Sequence, residues 1–458
     1  MVVDRIPRGR LSRGSKLGRL AAKRAVSGAG VRLAMIGRSE DAKAILAERA
    51  TIAAADNLLA VLGNMKGAAM KLGQVLSLFD VDLVPESHRE RFRQKLAALR
   101  DQAPKEPFSA MRAVIEADLG PLSGVFSDFD ESPIAAASIG QVYRARLRDG
   151  RDVAVKVQYP GVQQAVKADM RNLALLMKLW RSAWPAANTA MLDEFSRNIE
   201  NELDYLTEAR TQRHVARQFR GHPMIRVPDS VVELSTPRVL VTEFAQGVGF
   251  DQMRSLPADD RNRIGEVIHR FYIGSLFCHN EFCGDPHPGN VLLGADGKVE
   301  FVDFGLYHRM DPVNVEFERQ YLRIAAEGKA EELYRLMVDR GIVDASSAVT
   351  AQECMDYVLA VGGWHMVDEE IAITPEMATA AIVMAIDPRS VEFTDMRRQM
   401  LPPEHLFSRR AEFLTFGILG HLEVTNNWYR IAREWLYGDP PHTDLGREIA
   451  DWEASSGG

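Results

Sequence analysis

With 458 residues, 46% hydrophobic and 26% charged, the chain has the composition of an ordinary soluble globular protein and the length of a two-lobed enzyme with additions or of two to three domains. Its three cysteines, Cys278, Cys283 and Cys354, are too few for a disulfide framework and point to a reducing compartment. No stretch reaches the roughly 18 uninterrupted apolar residues of a spanning helix, and no apolar run follows the basic N-terminus as a secretory signal requires, so a cytoplasmic protein is expected.

The net charge of −7 conceals an asymmetry, because residues 1–38 hold ten Lys and Arg against the single Asp4. Such a tail on an acidic body can meet anionic lipid, nucleic acid or the protein's own acidic surface. Leu11, Leu17, Leu20, Leu33, Met35 and Ile36 give it a poor amphipathic pattern, enough for peripheral contact with an anionic membrane. Few aromatics accompany the charges, so no nucleic-acid binding is expected.

Apolar residues from Ile45 to Leu76 recur at spacings near three and four, which predicts helix over 41–79. Within it, small residues beside Lys71 and Gln74 suggest a close approach to another surface. A second helix is expected over 85–99, a linker over 101–107, and a helix over 108–119 stopped by Gly120-Pro121. At Phe126 the pattern changes. A loop of small residues, Ala135, Ala136, Ala137 and Ser138, precedes an antiparallel pair: Val142–Leu147, the Asp149-Gly150 turn, and Val153–Val157, which carries Lys156. Helix follows over 162–180, then a longer one with Leu192, Phe195, Ile199, Leu203 and Leu206 on one face. Its polar side bears Glu200, Glu202, Asp204 and Glu208, with Asp204 and Glu208 sharing a face; their partners are Lys156, Lys71, a metal, or solvent.

Val227–Leu234 and Val239–Phe244 read as another hairpin, ending in a connection at Glu243-Phe244-Ala245. A strong helix over 258–279, with Asp259 and Asp260 in its first turn, delivers the chain to Phe282–Asn290. Here a loop, the strand Val291–Leu293, a Gly294–Gly297 turn and the strand Val299–Val302 place Asp285, Asn290 and Asp303 close together. Three oxygen-bearing side chains on a small hairpin suit Mg²⁺, which keeps few protein ligands and shares the rest with phosphates. Beyond Asp311 helices are expected over 313–326, 330–340, 351–362, 375–385, 409–421 and 426–436, with a frayed end at Ser455–Gly458. The types of Cys278, His279, Cys283 and His287 suit zinc, but their spacing fits no common site.

Asp285-x-x-x-x-Asn290 followed by Asp303-Phe304-Gly305 resembles the catalytic loop and metal-binding motif of protein kinases. Together with Lys71-Leu72-Gly73-Gln74, Ala135–Ser138, Val153-Ala154-Val155-Lys156 and Glu202-Leu203-Asp204 with Glu208, the order closely resembles the ABC1/ADCK/UbiB (AarF-like) family of atypical kinases over residues 45–310. The resemblance implies a helix-rich α+β fold: a protein-kinase-like two-lobed body with an added N-terminal helical unit. The expected division is a basic tail at 1–40, a helical extension at 41–125, an N-lobe with inserted helices at 126–245 and a helical C-lobe at 246–458. It further implies ATP or ADP with Mg²⁺ as cofactors. Lys156 would contact the α- and β-phosphates and pair with Glu208. Asn290 and Asp303 would hold the metal, and Asp285 would take the catalytic-base position. Ala135–Ser138 would lie over the nucleotide, and Glu243, Phe244 and Ala245 would form the hinge to adenine. Lys71, Gln74, Glu202 and Asp204 would be the family's own polar cluster, on a unit that covers the peptide cleft in relatives.

Three departures stand against an ordinary peptide kinase: Cys283-Gly284 replaces His-Arg, Lys156 and Glu208 are separated by an extra helix, and no Ala-Pro-Glu follows Gly305. The expected activity is a Mg²⁺-dependent ATPase or small-molecule kinase supporting ubiquinone or other isoprenoid-lipid metabolism, with a prenyl-lipid or phenolic lipid precursor as possible ligand. The alternative is a nucleotide-gated, non-catalytic scaffold that recruits a lipid-biosynthetic partner.

Overall fold

The computed structural model describes residues 106–137, 139–167, 203–378 and 403–456. The basic tail, Lys71, Gln74, Ser138 and Glu202 lie outside the described residues. The chain divides into two compact units, Met1–Arg151 with Val155–Ser196 and Asp152–Ala154 with Arg197–Gly458.

In the first unit, α1 (Phe108–Leu119) buries Met111, Val114 and Ile115, one stripe at helical spacing, and ends at Gly120 in the left-handed region, φ +81°. The short α2 (Leu122–Val125) leads into β1 (Phe126–Phe129). Strand β3 (Gly140–Leu147) pairs antiparallel with β1 and turns into β4 (Asp152–Gln158) at Gly150, φ +92°. The Asp149-Gly150 signal is thus expressed where expected: the Leu147 amide donates to the Arg151 carbonyl at 2.8 Å. Phe108, Phe129 and Tyr143 pack at ring separations of 5.6–5.7 Å beneath this sheet. The alanine-rich segment corrects one expectation. Ala135–Ala137 is a strand, β2, lying antiparallel on β3 with Ala135 opposite Val142 and Ala137 opposite Gly140. It is an edge strand, so the backbone groups facing β3 belong to this ladder.

In the second unit, α3 (Tyr205–Gln218) is capped by Asp204, whose carboxylate accepts from the Leu206 amide at 3.0 Å. Asp204 is therefore the cap at the start of α3, not a helical residue, and Glu208 lies in the helix's first turn. The expected strand Val227–Leu234 is reduced to β5 (Ile225–Arg226), a single bridge from Ser230 to Thr242 and a 3₁₀ turn at Val232–Leu234. Pro228 has no N–H for a ladder, and its carbonyl is taken by the Gln212 side chain at 2.7 Å. Strand β6 (Val239–Glu243) runs on to α4 (Phe250–Arg254). The helix expected over 258–279 is α5 (Ala258–His269) and α6 (Ser275–His279), joined without a break by a π-helical turn at Arg270–Gly274.

Four short strands follow: β7 (Glu281–Cys283), β8 (Val291–Leu293), β9 (Val299–Phe301) and β10 (Tyr307–Arg309). β8 and β9 form the expected hairpin, Val291 opposite Phe301, with β5 parallel on the far edge of β9; β7 and β10 form a separate antiparallel pair. Phe271 stacks on Phe301 at 3.7 Å and meets Phe304 edge-on at 6.4 Å, which fixes the hairpin to the helix. Among the described residues after Asp311 lie α7 (Pro312–Ala326), α8 (Ala330–Asp339), α9 (Ala351–Gly362), α10 (Pro403–Leu422), α11 (Trp428–Tyr437) and α12 (Asp444–Ser456), with β11 (Ile371–Ala372) and β12 (Thr425–Asn426) paired between them; of the helix expected over 375–385, only residues 375–378 lie within the described residues and are helical. α10 begins six residues before the expected 409, and the end expected to fray is helical as far as Ser456.

A chain of buried ionic groups runs through these helices. Glu318 on α7 accepts from His405 Nδ1 at 2.7 Å and from Arg409, and Arg409 also donates to Glu412 at 2.6 Å, all on α10. Glu412 stands 3.4 Å from His365 Nδ1, and the His365 and His269 Nε2 atoms are 2.9 Å apart. Burial works against ionising Glu318 and Glu412, but Arg409 together with His405 at Glu318 and His365 at Glu412 outweighs it and holds both carboxyls below their ordinary range.

Candidate active site

The β8–β9 hairpin and the β7–β10 pair deliver the three oxygen-bearing side chains to one place. Asn290 ends a 3₁₀ turn, Pro288–Asn290, capped by His287 Nδ1, which accepts from the Gly289 amide at 3.0 Å. The Val302 amide donates to the Asn290 carbonyl at 3.2 Å, so Asn290 sits across from the residue before Asp303. Asn290 Nδ2 donates to the Asp285 carbonyl at 3.4 Å, a weak bond that turns the amide nitrogen toward the loop and orients the amide oxygen away from it. Asp303 Oδ1 accepts from the Gly305 amide at 3.0 Å. The Gly284 amide donates to the Leu306 carbonyl at 2.7 Å, and Cys283 Sγ lies 3.7 Å from the Asp303 carbonyl. Residues 283–285 and 303–306 are thereby laced edge to edge.

Glu208 on α3 joins them. It is 4% exposed, and its Oε2 stands 3.5 Å from where a Cβ on Gly305 would lie, with Asp303 Oδ1 at 3.4 Å from the same point. Gly305 is thus the spacer that lets the two carboxylates approach one backbone position. Below the loop, the Tyr272 hydroxyl reaches the His287 backbone, and burial holds this phenol protonated. Cys283 is 3% exposed and burial pushes its thiol far up, which makes it a packing residue and not a nucleophile. Phe304, 2% exposed, is a packing residue as well.

The other expected site residues lie elsewhere. Lys156 is half-buried on β4 of the first unit, so its pairing with Glu208 of the second unit stays an expectation. Ala135 and Ala136 are exposed on β2, Ala137 half-buried. Glu243 is exposed at the end of β6, its carboxylate accepting from the Asp229 amide at 3.0 Å. The Phe244 amide donates to the Asp152 carbonyl at 3.1 Å, which removes that N–H from the donors a base could use; Ala245 is half-buried just beyond. Among the described residues no group of three His, Cys, Asp or Glu side chains gathers as a metal cluster. What Asn290 and Asp303 offer is a carboxylate and an amide, a donor set that fits a hard cation taking its remaining ligands from phosphate and water.

Two residues at the site have no motif to announce them. Arg410 on α10 donates to Asp285 Oδ1 at 2.7 Å, from 125 positions downstream. His308 on β10 stacks between Phe282, at 5.2 Å, and Phe407 of α10, at 4.7 Å, and its ring fills the space in front of Gly284: a Cβ there would meet His308 Cδ2 at 2.8 Å. Spacing in the sequence carries no signal for either, since both act through tertiary contacts.

Residues 98–336 match the model of the ABC1 atypical kinase-like domain. Mouse AarF domain-containing protein kinase 1 is 33% identical over 323 residues, 69% of this chain and 59% of that protein. The rat mitochondrial atypical kinase COQ8B is 33% identical over 296 residues, 63% of this chain and 54% of that one. The chain spans about half the length of the curated relatives it matches. Among solved structures, the complex of Rv3197 with erythromycin from Mycobacterium tuberculosis is similar at a TM-score of 0.61 and 30% identity, covering 86% of this chain and 98% of that one. On the family match, the shared fold and the order of its motif residues, this chain belongs to the ABC1 atypical kinase-like family.

Proposed function

We propose that the chain binds Mg²⁺-nucleotide and hydrolyses or transfers its terminal phosphoryl group, in support of ubiquinone or other isoprenoid-lipid metabolism. The observation that carries this reading is the convergence of Asp285, Asn290 and Asp303 on two laced strand pairs, with Glu208 against Gly305. Phosphoryl transfer asks a protein for alignment and charge neutralisation more than for covalent chemistry. Asn290 and Asp303 would hold Mg²⁺, which when bound offsets the charge of the phosphates. Asp285 would take the proton of the acceptor hydroxyl or orient a water, and the resemblance gives Lys156 the α- and β-phosphates. The lipid assignment rests on the family resemblance. The erythromycin complex of the Mycobacterium tuberculosis relative supports a small organic ligand over a peptide. Among the described residues no helix is long and apolar enough to cross a membrane. Membrane contact would fall to the basic residues 1–38.

The test is thermal stability with Mg²⁺ and ADP or ATP. A ligand that binds only the folded state should raise stability by about 2.7 kcal/mol at a hundredfold excess over Kd. Wild type should show that rise only with metal, and Asp303→Asn should lose it. ATP hydrolysis, expected to be slow and faster with a phenolic head-group mimic or lipid vesicles, should fall with it; equal turnover in the two proteins refutes the reading. A nucleotide-gated scaffold is the second reading. Tight nucleotide binding without turnover under any added lipid would select it.

A further inference from the structure

The geometry points to Arg410, on α10, as the residue that positions the carboxylate of Asp285 for the phosphoryl-transfer step. This rests on the proposed reading of Asp285 as the base. Arg410 donates to Asp285 Oδ1 at 2.7 Å, with side chains 11% and 19% exposed. A carboxylate on a loop can swing about its χ angles; one oxygen tied to a planar guanidinium cannot, because that bond has both direction and charge. The Nε of Arg410 is buried with no hydrogen-bond partner. Its guanidinium is therefore turned to the interior, toward the loop, and a phosphate could not reach that donor. On this reading Arg410 acts through Asp285, which makes it a positioning residue.

The surroundings hold Arg410 in that attitude. Its neighbour Arg409 faces the other way, into Glu318 and Glu412. On a helix, consecutive side chains diverge by about 100°, so the bonds of Arg409 fix the rotation of α10 and thereby the direction of Arg410. One turn earlier, Phe407 stacks on His308 at 4.7 Å, and the His308 ring abuts Gly284, the residue before Asp285. α10 thus grips the loop at two points, through the ring of His308 at residue 284 and through a charge at residue 285. The orientation of the base is set by a helix more than a hundred residues away in sequence, and whatever shifts α10 shifts Asp285.

The experiment compares wild type, Arg410→Lys and Arg410→Gln as full chains, in steady-state Mg-ATP hydrolysis and in thermal stabilisation by Mg-ADP. Misplacing a reacting group by an ångström costs up to about a hundredfold, so kcat should fall about tenfold or more in Arg410→Gln. KM for ATP and the Mg-ADP stabilisation should stay within about twofold, because the interaction is one of alignment and not of ground-state binding. Arg410→Lys keeps the charge but loses the planar fork, and its kcat should lie between the other two. A purely structural role would move kcat, KM and nucleotide stabilisation together, and that result overturns the inference. So does a kcat in Arg410→Gln equal to or above wild type, the latter marking a lock in place of a support. Should Arg410→Gln fail to fold, Arg410→Lys decides, and a wild-type kcat there overturns the inference. Wild type that binds Mg-ADP yet shows no Asp303-dependent turnover removes the phosphotransfer reading and this inference together, whereas turnover unaffected at Arg410 removes this inference alone.

Discussion

The loop around Asp285 and the buried ionic chain under α10 are built from the same kinds of side chain and differ in what surrounds them. In the chain from Glu318 through Arg409 and Glu412 to His365 and His269, the groups are at most 14% exposed and meet one another. In the loop, Asp285, Asn290 and Asp303 are half-buried; Asn290 donates to the Asp285 carbonyl and Asp303 accepts from the Gly305 amide, while the Asp285 carboxylate accepts from Arg410. A charge sealed among charges stabilises one arrangement and answers to no ligand. A charge held by backbone at a partly open edge keeps its position and can still face a cation. Residue type therefore does not distinguish a site from a strut; the partners and the remaining exposure do.

This contrast can be broken most forcefully on the sealed side. Glu318→Ala removes the partner shared by Arg409 and His405 and leaves a buried cation short of a counter-charge, which should cost about 3–5 kcal/mol of stability in urea titration. A loss under about 1 kcal/mol would mean the chain is hydrated and no different in kind from the loop. On the open side, Gly284→Ala drives a methyl group to 2.8 Å from the His308 ring and 3.3 Å from the Leu306 carbonyl. Overpacking of this sort should cost about 1–3 kcal/mol, and it should lower turnover as well, which Glu318→Ala read at matched folded fraction should do less.

The smallest effect sharpens the comparison through pH. Burial, with Arg410 adding to it, lowers the His308 imidazole from 6.5 to about 4. A histidine whose folded value is depressed binds fewer protons in the folded state, so it favours folding above pH 6.5 and withdraws that support as pH falls from 6.5 toward 4. The slope contributed should approach about 1.4 kcal/mol per pH unit in that window. Denaturation at pH 7, 6 and 5 should show a flatter dependence in His308→Gln than in wild type, and identical slopes would show that the ring is not sealed.

What could be read in advance was local. Asp149-Gly150 and Gly294–Gly297 name their turns by residue type alone, and Gly150 and Gly297 do adopt the positive φ those turns require. The Asp285, Asn290 and Asp303 triplet followed from such a turn, because a short hairpin brings its two ends together whatever the rest of the chain does. The stretch Ala135–Ala137 was misread as loop because three alanines carry no alternation of polarity, and only pairing with β3 makes them a strand. Val227–Leu234 has strand composition, but Pro228 and the side chain of Gln212 break the ladder. Asp204 and Glu208 stand four apart, yet Asp204 is the cap that starts α3 and Glu208 lies in its first turn, and helical spacing cannot distinguish a cap from a face. Arg410 and His308 reach the site through packing of α10, which no local pattern encodes.

The π-helical turn at Arg270–Gly274 has a consequence for how this loop could be altered. Such a turn holds one residue more than a regular helix of the same rise, the mark of a single inserted position. Deleting one residue there would let the segment wind as regular helix and leave its two flanks in much the same register, because the wide turn already absorbs the extra position. His279 and Asn280, which launch β7, would keep their direction, whereas losing one residue from the regular winding of α5 would turn them by about 100°. The reading frame of the helix is thus part of the site: a one-residue deletion within Arg270–Gly274 should cost turnover less than one within Ala258–His269, although both leave every motif residue intact.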